Sequence, residues 1–110
     1  MTSLNNKLRT FQSAFAALEA SIFHYYRTNK KPPYIIWAES GEGNSTHAGN
    51  HKVEQSVTGD LDLFTKTEFD PLVDQIQDTF DRIGAAWRLD DVAYEEDTNL
   101  IHYRWEWSVS

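Results

Sequence analysis

The sequence predicts a two-layer α+β domain in the order α-β-β-α-β-β, a four-stranded antiparallel sheet covered on one face by two helices. Two stretches repeat apolar residues in steps of three and four, and two others alternate apolar with polar residues. The first spacing lays a stripe along a helix, and the second gives a strand one dry and one wet face. With 110 residues the chain is close to the commonest size for one domain, so 1–110 reads as a single unit.

Leu4, Leu8, Phe11, Phe15, Leu18 and Ile22 form the first stripe. Ser3 is placed to cap its start, and Asn29 with two prolines marks its end. The spacing also obeys a heptad, but three heptads are short for an isolated coiled coil, and the sheet needs a cover. Pro32-Pro33 then forces extended backbone, and residues 34–37 follow as a strand.

Residues 53–64 read as the second strand, with Val53, Val57, Leu61 and Leu63 alternating with Glu54, Ser56, Thr58, Asp60 and Asp62. Gly59 interrupts the apolar row and marks a bulge or a close backbone approach. The run Thr67-Glu68-Phe69-Asp70-Pro71 supplies an oxygen-bearing cap and a first-turn proline for a second helix. Its apolar face is Phe69, Leu72, Val73, Ile76, Phe80 and Ile83, and Gly84 suits the position just past its end. Residues 87–94 and 101–109 are the last two strands, joined by a turn at 95–99. In the final strand Ile101, Tyr103, Trp105, Trp107 and Val109 share one face, and core packing is favoured over ligand stacking for that row.

Between the first two strands lies a polar loop, residues 39–52, far longer than the roughly 2–5 residues a hairpin connection needs. It reads as a long mobile arm that orders against a neighbour. Gly43, Asn44, Ser45, Thr46, His47, Asn50 and His51 are its candidate oligomer or partner contacts.

Composition narrows the chemistry. The chain has no cysteine, which excludes disulfides, thiolate metal sites and cysteine nucleophiles. A net charge of −7 opposes binding to a phosphate backbone, so nucleic acid is a poor partner. No run approaches the roughly 18 apolar residues of a membrane span. The basic run at residues 27–31 reads as a solvated turn.

His47 and His51 have i, i+4 spacing, but a Gly/Asn/Ser loop does not enforce helical geometry, and only Glu39 or Glu42 lies near as a third ligand. His24 and His102 sit beside aromatics and read as ring-packed or surface groups. Asp60 and Asp62 share a wet strand face, yet no nucleophile or histidine stands at a fixed spacing from them. Gly41, Gly43 and Gly49 match neither a phosphate loop nor a dinucleotide fingerprint. The expectation is a non-enzymatic protein with no catalytic, cofactor or metal site.

Four motifs carry a family resemblance: Pro32-Pro33-Tyr34-Ile35-Ile36-Trp37, Ala48-Gly49-Asn50-His51-Lys52-Val53, Asp62-Leu63-Phe64-Thr65-Lys66 and Asp70-Pro71. In this pattern the chain resembles the tail-completion, or tail-terminator, minor tail proteins of long-tailed phages and prophages of Gram-positive bacteria. The likeness spans residues 32–110, with Gly49 standing where that family's pattern has an acidic residue. It implies a virion component that forms a ring, typically a hexamer, stopping tail-tube growth and offering the surface that joins the head. The implied partners are further copies of itself, the tail-tube protein and head-tail connector proteins. The implied location is the head-proximal end of the tail, with the host cytoplasm before assembly. Two other readings suit the same scaffold: another neck or connector protein, and a small acidic module that sequesters a cellular protein.

Overall fold

The computed structural model describes residues 3–27, 31–43, 46–48 and 51–110. Along the chain run α1 (Leu4–Ala16), β1 (Ser21–His24), β2 (Tyr34–Glu42), β3 (Thr46–Ala48), β4 (His51–Glu54), β5 (Val57–Thr65), α2 (Pro71–Arg82), β6 (Ala86–Glu95) and β7 (Leu100–Val109). The α+β class and the two helices agree with the sequence. The sheet differs: it has five strands in the order β1-β2-β5-β7-β6, and β1 runs parallel to β2.

The extra strand comes from the end of the first apolar stripe. Ser3 caps α1 as expected, its hydroxyl accepting from the Asn6 N–H at 3.2 Å. The helix stops at Ala16, however, and Ile22 lies in β1 opposite Ile35. Ile22 and Phe23 suit an extended ladder better than a helix, and pairing them satisfies the otherwise open edge of β2. Ile22 packs against the core in either geometry, which is why its spacing mimics one more helical turn.

The predicted loop at 39–52 is also largely strand. β2 continues through Glu42, paired with Val57 across a bulge between Glu39 and Gly41, and β3 pairs with β4 in a separate antiparallel ladder. The expected strand 53–64 is accordingly split, with Val53 and Glu54 in β4, Gln55 and Ser56 between the strands, and residues 57–64 in β5.

Odd-numbered residues of β2, β5 and β7 form the floor of the core. Ile35, Trp37, Leu61, Leu63, Trp105 and Trp107 are buried beneath Phe11 and Phe15 of α1 and Leu72, Ile76 and Phe80 of α2. Each fully buried side chain of this size contributes roughly 1.5–3 kcal/mol. Phe11 stands at the centre, its ring centroid 4.2 Å from Trp107, 4.9 Å from Trp37 and 4.8 Å from Phe15. Both helices therefore cover the same face, as the sequence predicts.

α2 is held at both ends. Asp70 is its N-cap, accepting from the Leu72 N–H at 2.9 Å, and Pro71 occupies the first turn. At the other end the Gly84 N–H reaches the Asp81 carbonyl and the Ala85 N–H the Phe80 carbonyl, with Gly84 at φ +75. This is the Schellman closure, which a left-handed glycine makes without strain. Phe69 lies outside the helix, contrary to the predicted apolar face. At 89 % exposure and φ 57, it projects from the β5–α2 connection into solvent.

Candidate functional site

With both helices on one side, the opposite face of the sheet carries the even-numbered residues of β2, β5 and β7. There the polar side chains form a cross-strand lattice. Arg104 donates to Asp60 at 2.8 Å and lies 3.9 Å from Asp62, whose other neighbour is His102 at 2.6 Å. Arg88 of β6 donates to Glu106 at 2.7 Å and to Asp90 at 3.0 Å. The hydrogen bond to Asp60 is the main reason the Arg104 guanidinium is held above its ordinary pKa; burial opposes it and the charge of Asp62 supports it. Asp60 and Asp62 thus face Arg104 and His102, which join β5 to β7, an arrangement that fixes register rather than setting one carboxyl against another.

Beside this lattice lies an aromatic row. Tyr34 stacks on Phe64 at 4.8 Å and Phe64 on His102 at 4.2 Å, while Phe23 meets Tyr34 edge-on at 6.5 Å. Arg27 lies 5.0 Å over the Tyr34 ring and donates to its hydroxyl at 2.6 Å. Burial raises the Tyr34 pKa, with the Arg27 charge acting against it.

On the helix side, His24 is sandwiched between Tyr25 and Trp37, each 3.9 Å away by ring centroid, and bonds Glu39 at 2.7 Å. Burial alone would raise the Glu39 carboxyl, but hydrogen bonds from His24 and Tyr25 outweigh it and hold it below the usual carboxylate range. The same bond to Glu39 raises the Tyr25 hydroxyl. Both sequence-singled histidines of the main sheet are therefore ring-packed, as expected, and each also clamps a carboxylate.

The predicted contact residues fall on and around the β3–β4 ladder. Gly43 closes β2, its N–H donating to the Ser56 carbonyl at 2.9 Å; a Cβ there would come 3.0 Å from Thr58 Cγ2. Thr46 and His47 are in β3, paired with Glu54 and Lys52, and His51 is in β4, paired with Ala48. The two histidines thus lie on different strands, not one helical turn apart. Asn44, Ser45 and Asn50 lie outside the described residues. Among the described residues, no three His, Asp or Glu side chains are grouped to hold a metal ion, and no helix is long and apolar enough to cross a membrane.

No protein-family model matches the chain, and no curated protein matches it at a significant level.

The surface that sequence reasoning missed is the β6 edge. β6 pairs only with β7 among the described strands, and its Leu89, Val92 and Tyr94 are 40 %, 49 % and 59 % exposed. Val92 pairs with Tyr103 and Tyr94 with Ile101, so they belong to the helix-side face at a place where α2 does not reach. Val92, Tyr94 and Ile101 line an open hollow of about 640 Å³ with Lys66 and Glu68. A bulge between Leu89 and Asp91 bends the strand just before this patch. Their alternation was readable as a strand, but only the sheet order reveals that no helix lies above it.

Proposed function

We propose that the chain is a non-enzymatic structural subunit of a phage or prophage tail, assembling as a ring that terminates the tail tube and presents a head-joining surface. The motifs shared with tail-terminator proteins suggest the role, and one structural observation supports it. Both edges of the main sheet are open among the described strands, and the β6 edge exposes a row of apolar side chains. Monomeric domains rarely leave a long apolar edge strand uncovered, because it invites pairing with another chain. A subunit with two different open edges is suited to head-to-tail contacts, which close into a ring when the rotation between copies permits. His24, His102, Asp60 and Asp62 are engaged in cross-strand hydrogen bonds that brace the sheet.

Deleting the gene in the phage or prophage that carries it tests the role. Tails of uncontrolled length, or tails and heads that fail to join, are the expected result. Normal, head-bearing tails would refute the role. Purified protein should also bind the end of tubes made from the tail-tube protein, visible as caps in electron micrographs.

A further inference from the structure

The charges of this chain are segregated along the order of the sheet. Residues 1–31 carry five basic residues and one acidic one, whereas residues 67–99 carry two basic and ten acidic. The first segment supplies α1, which packs beside β1, and β1 itself, one edge of the sheet. The second supplies α2 and β6, the other edge. Four inter-strand steps of about 4.8 Å separate the two edges by roughly 19 Å. Lys7 reaches the Gln55 carbonyl instead, so among the described residues the β1 flank keeps Arg9, Arg27 and Lys31 against Glu19, a basic flank opposite a strongly acidic one.

Each flank combines this charge with exposed apolar surface. On the β1 flank, Tyr25 and Tyr26 are exposed where the chain leaves β1, with Arg9 on α1 and Arg27 close by. On the β6 flank, Val92 and Tyr94 are exposed within a rim of Asp90, Asp91, Glu96 and Asp97. An apolar centre inside a polar rim is the anatomy of a protein interface.

We infer that the β6 edge of one copy seats against the β1 edge of a second copy, Leu89 falling level with His24 and Tyr25 and Val92 level with Ile22 as the register across the sheet places them, and the acidic rim meeting Arg9, Arg27 and their neighbours. Strand direction agrees. β1 and β2 run one way, β5 the other, β7 back and β6 opposite again, so repeating the subunit side by side sets β6 antiparallel to the next β1. That is the more favourable sense for neighbouring strands. A symmetric β6-to-β6 contact would instead oppose two acidic rims, at a cost in like-charge repulsion. The contact is therefore heterologous, and each copy keeps one free edge of each kind until the assembly closes. The inference rests on the reading of the chain as a self-assembling subunit, and it names the two surfaces that reading requires.

A charge-reversal exchange tests it in solution, apart from any role in a tail. One variant carries Asp91→Lys and Glu96→Lys, making the β6 flank basic; the other carries Arg9→Glu and Lys31→Glu, making the β1 flank acidic. These positions are exposed, and circular dichroism with thermal unfolding checks that each variant folds. Sedimentation velocity at low salt should show the native chain associating and each variant alone associating at least about tenfold more weakly. An equimolar mixture of the variants should recover native-sized particles, because both alternating contacts again join opposite charges. Native association should also weaken as salt shortens the Debye length from about 30 Å at 0.01 M to about 8 Å at 0.15 M. A native chain that stays monomeric at low salt would overturn the contact, as would a mixture no heavier than its parts. Association of the Arg9→Glu/Lys31→Glu variant alone as strong as that of the native chain would point to the β6-to-β6 contact instead, because its β6 edge is unchanged. If the mixture recovers but gene deletion leaves tails normal, the contact stands and the tail role falls.

Discussion

Gly59 and Trp107 are cross-strand partners, and the Trp107 indole fills the space in which a side chain on Gly59 would stand. A Cβ at residue 59 would lie 2.4 Å from Trp107 Cζ2 and 2.2 Å from the Ala38 carbonyl oxygen. One of those neighbours is backbone and the other a buried ring pressed on Phe11, so neither can move away cheaply. In an open strand position, alanine for glycine gains about 0.5–1 kcal/mol. Here overpacking wins, and Gly59→Ala should cost about 3 kcal/mol in urea unfolding. Gly41, with nothing within 4 Å of a built Cβ, is the control, and Gly41→Ala should be neutral or slightly stabilising. Equal effects of the two substitutions would show that the indole does not hold this position.

Asp70 does two jobs at the start of α2. One carboxylate oxygen caps the helix through the Leu72 N–H, and the other accepts at 2.6 Å from the hydroxyl of Thr65, which is buried. Asp70→Ala removes the cap, worth about 1 kcal/mol, and strips a buried hydroxyl of its acceptor for about 1 kcal/mol more. Asp70→Asn keeps an oxygen for the cap and should lose less than half as much. Guanidinium unfolding of the two variants separates these contributions, and an asparagine variant as unstable as the alanine one would contradict the account.

These two sites also show how far the sequence could be read. Asp70, Pro71, the apolar stripe and Gly84 each act locally, so α2 was legible almost to the residue. Phe69 fits that stripe by spacing, but the Asp70 cap leaves it outside the helix. The end of α1 was not legible, because Ala17, Leu18 and Ala20 are good helix formers and no glycine or proline intervenes. β1 exists through its parallel ladder with β2, more than ten residues away, and such pairing leaves no local signal. Glu39, Ser40, Gly41 and Glu42 extend β2 with no apolar alternation to betray it, so the strand read as loop. The β6 patch was hidden for a related reason: alternation finds a strand's faces, while exposure depends on which strand ends the sheet.

The Glu39 carboxyl ties stability to pH. Its pKa is lowered on folding, by hydrogen bonds from His24 and Tyr25 that outweigh its burial. A carboxylate held low in the folded state adds stability that is complete above its unfolded pKa and is lost as pH falls through the folded value. Glu39→Gln should therefore destabilise at neutral pH by about 1.5–3 kcal/mol, the range for hydrogen bonds to a charged group. The gap between native and variant should narrow on acidification below the ordinary carboxylate range. Urea titrations at a series of pH values from about 7 to about 3 measure it. A gap that stays constant across that range would assign the loss to side-chain packing rather than to charge.

The β3–β4 ladder offers the sharpest separation of folding from assembly. It forms its own two-stranded sheet and does not join the β1-β2-β5-β7-β6 ladder. Among the described residues the buried core side chains lie on α1, α2 and the main sheet, with Ala85 between α2 and β6, and the last rung between β2 and β5 is Glu42 with Val57. Replacing residues 44–54 with a two-residue Asn-Gly turn leaves Gly43 bonded to Ser56 and keeps every rung of the main sheet. An isolated two-stranded hairpin contributes little stability, so the shortened chain should unfold within about 1 kcal/mol of the native one. If the hairpin carrying Thr46, His47 and His51 reaches across to a neighbouring copy, the same replacement should weaken self-association about tenfold or more. Unfolding curves and sedimentation of the one variant give both readings. A stable variant that assembles like the native chain would leave the sheet edges alone to hold neighbouring copies, and a variant that fails to fold would place the hairpin in the stability of the domain.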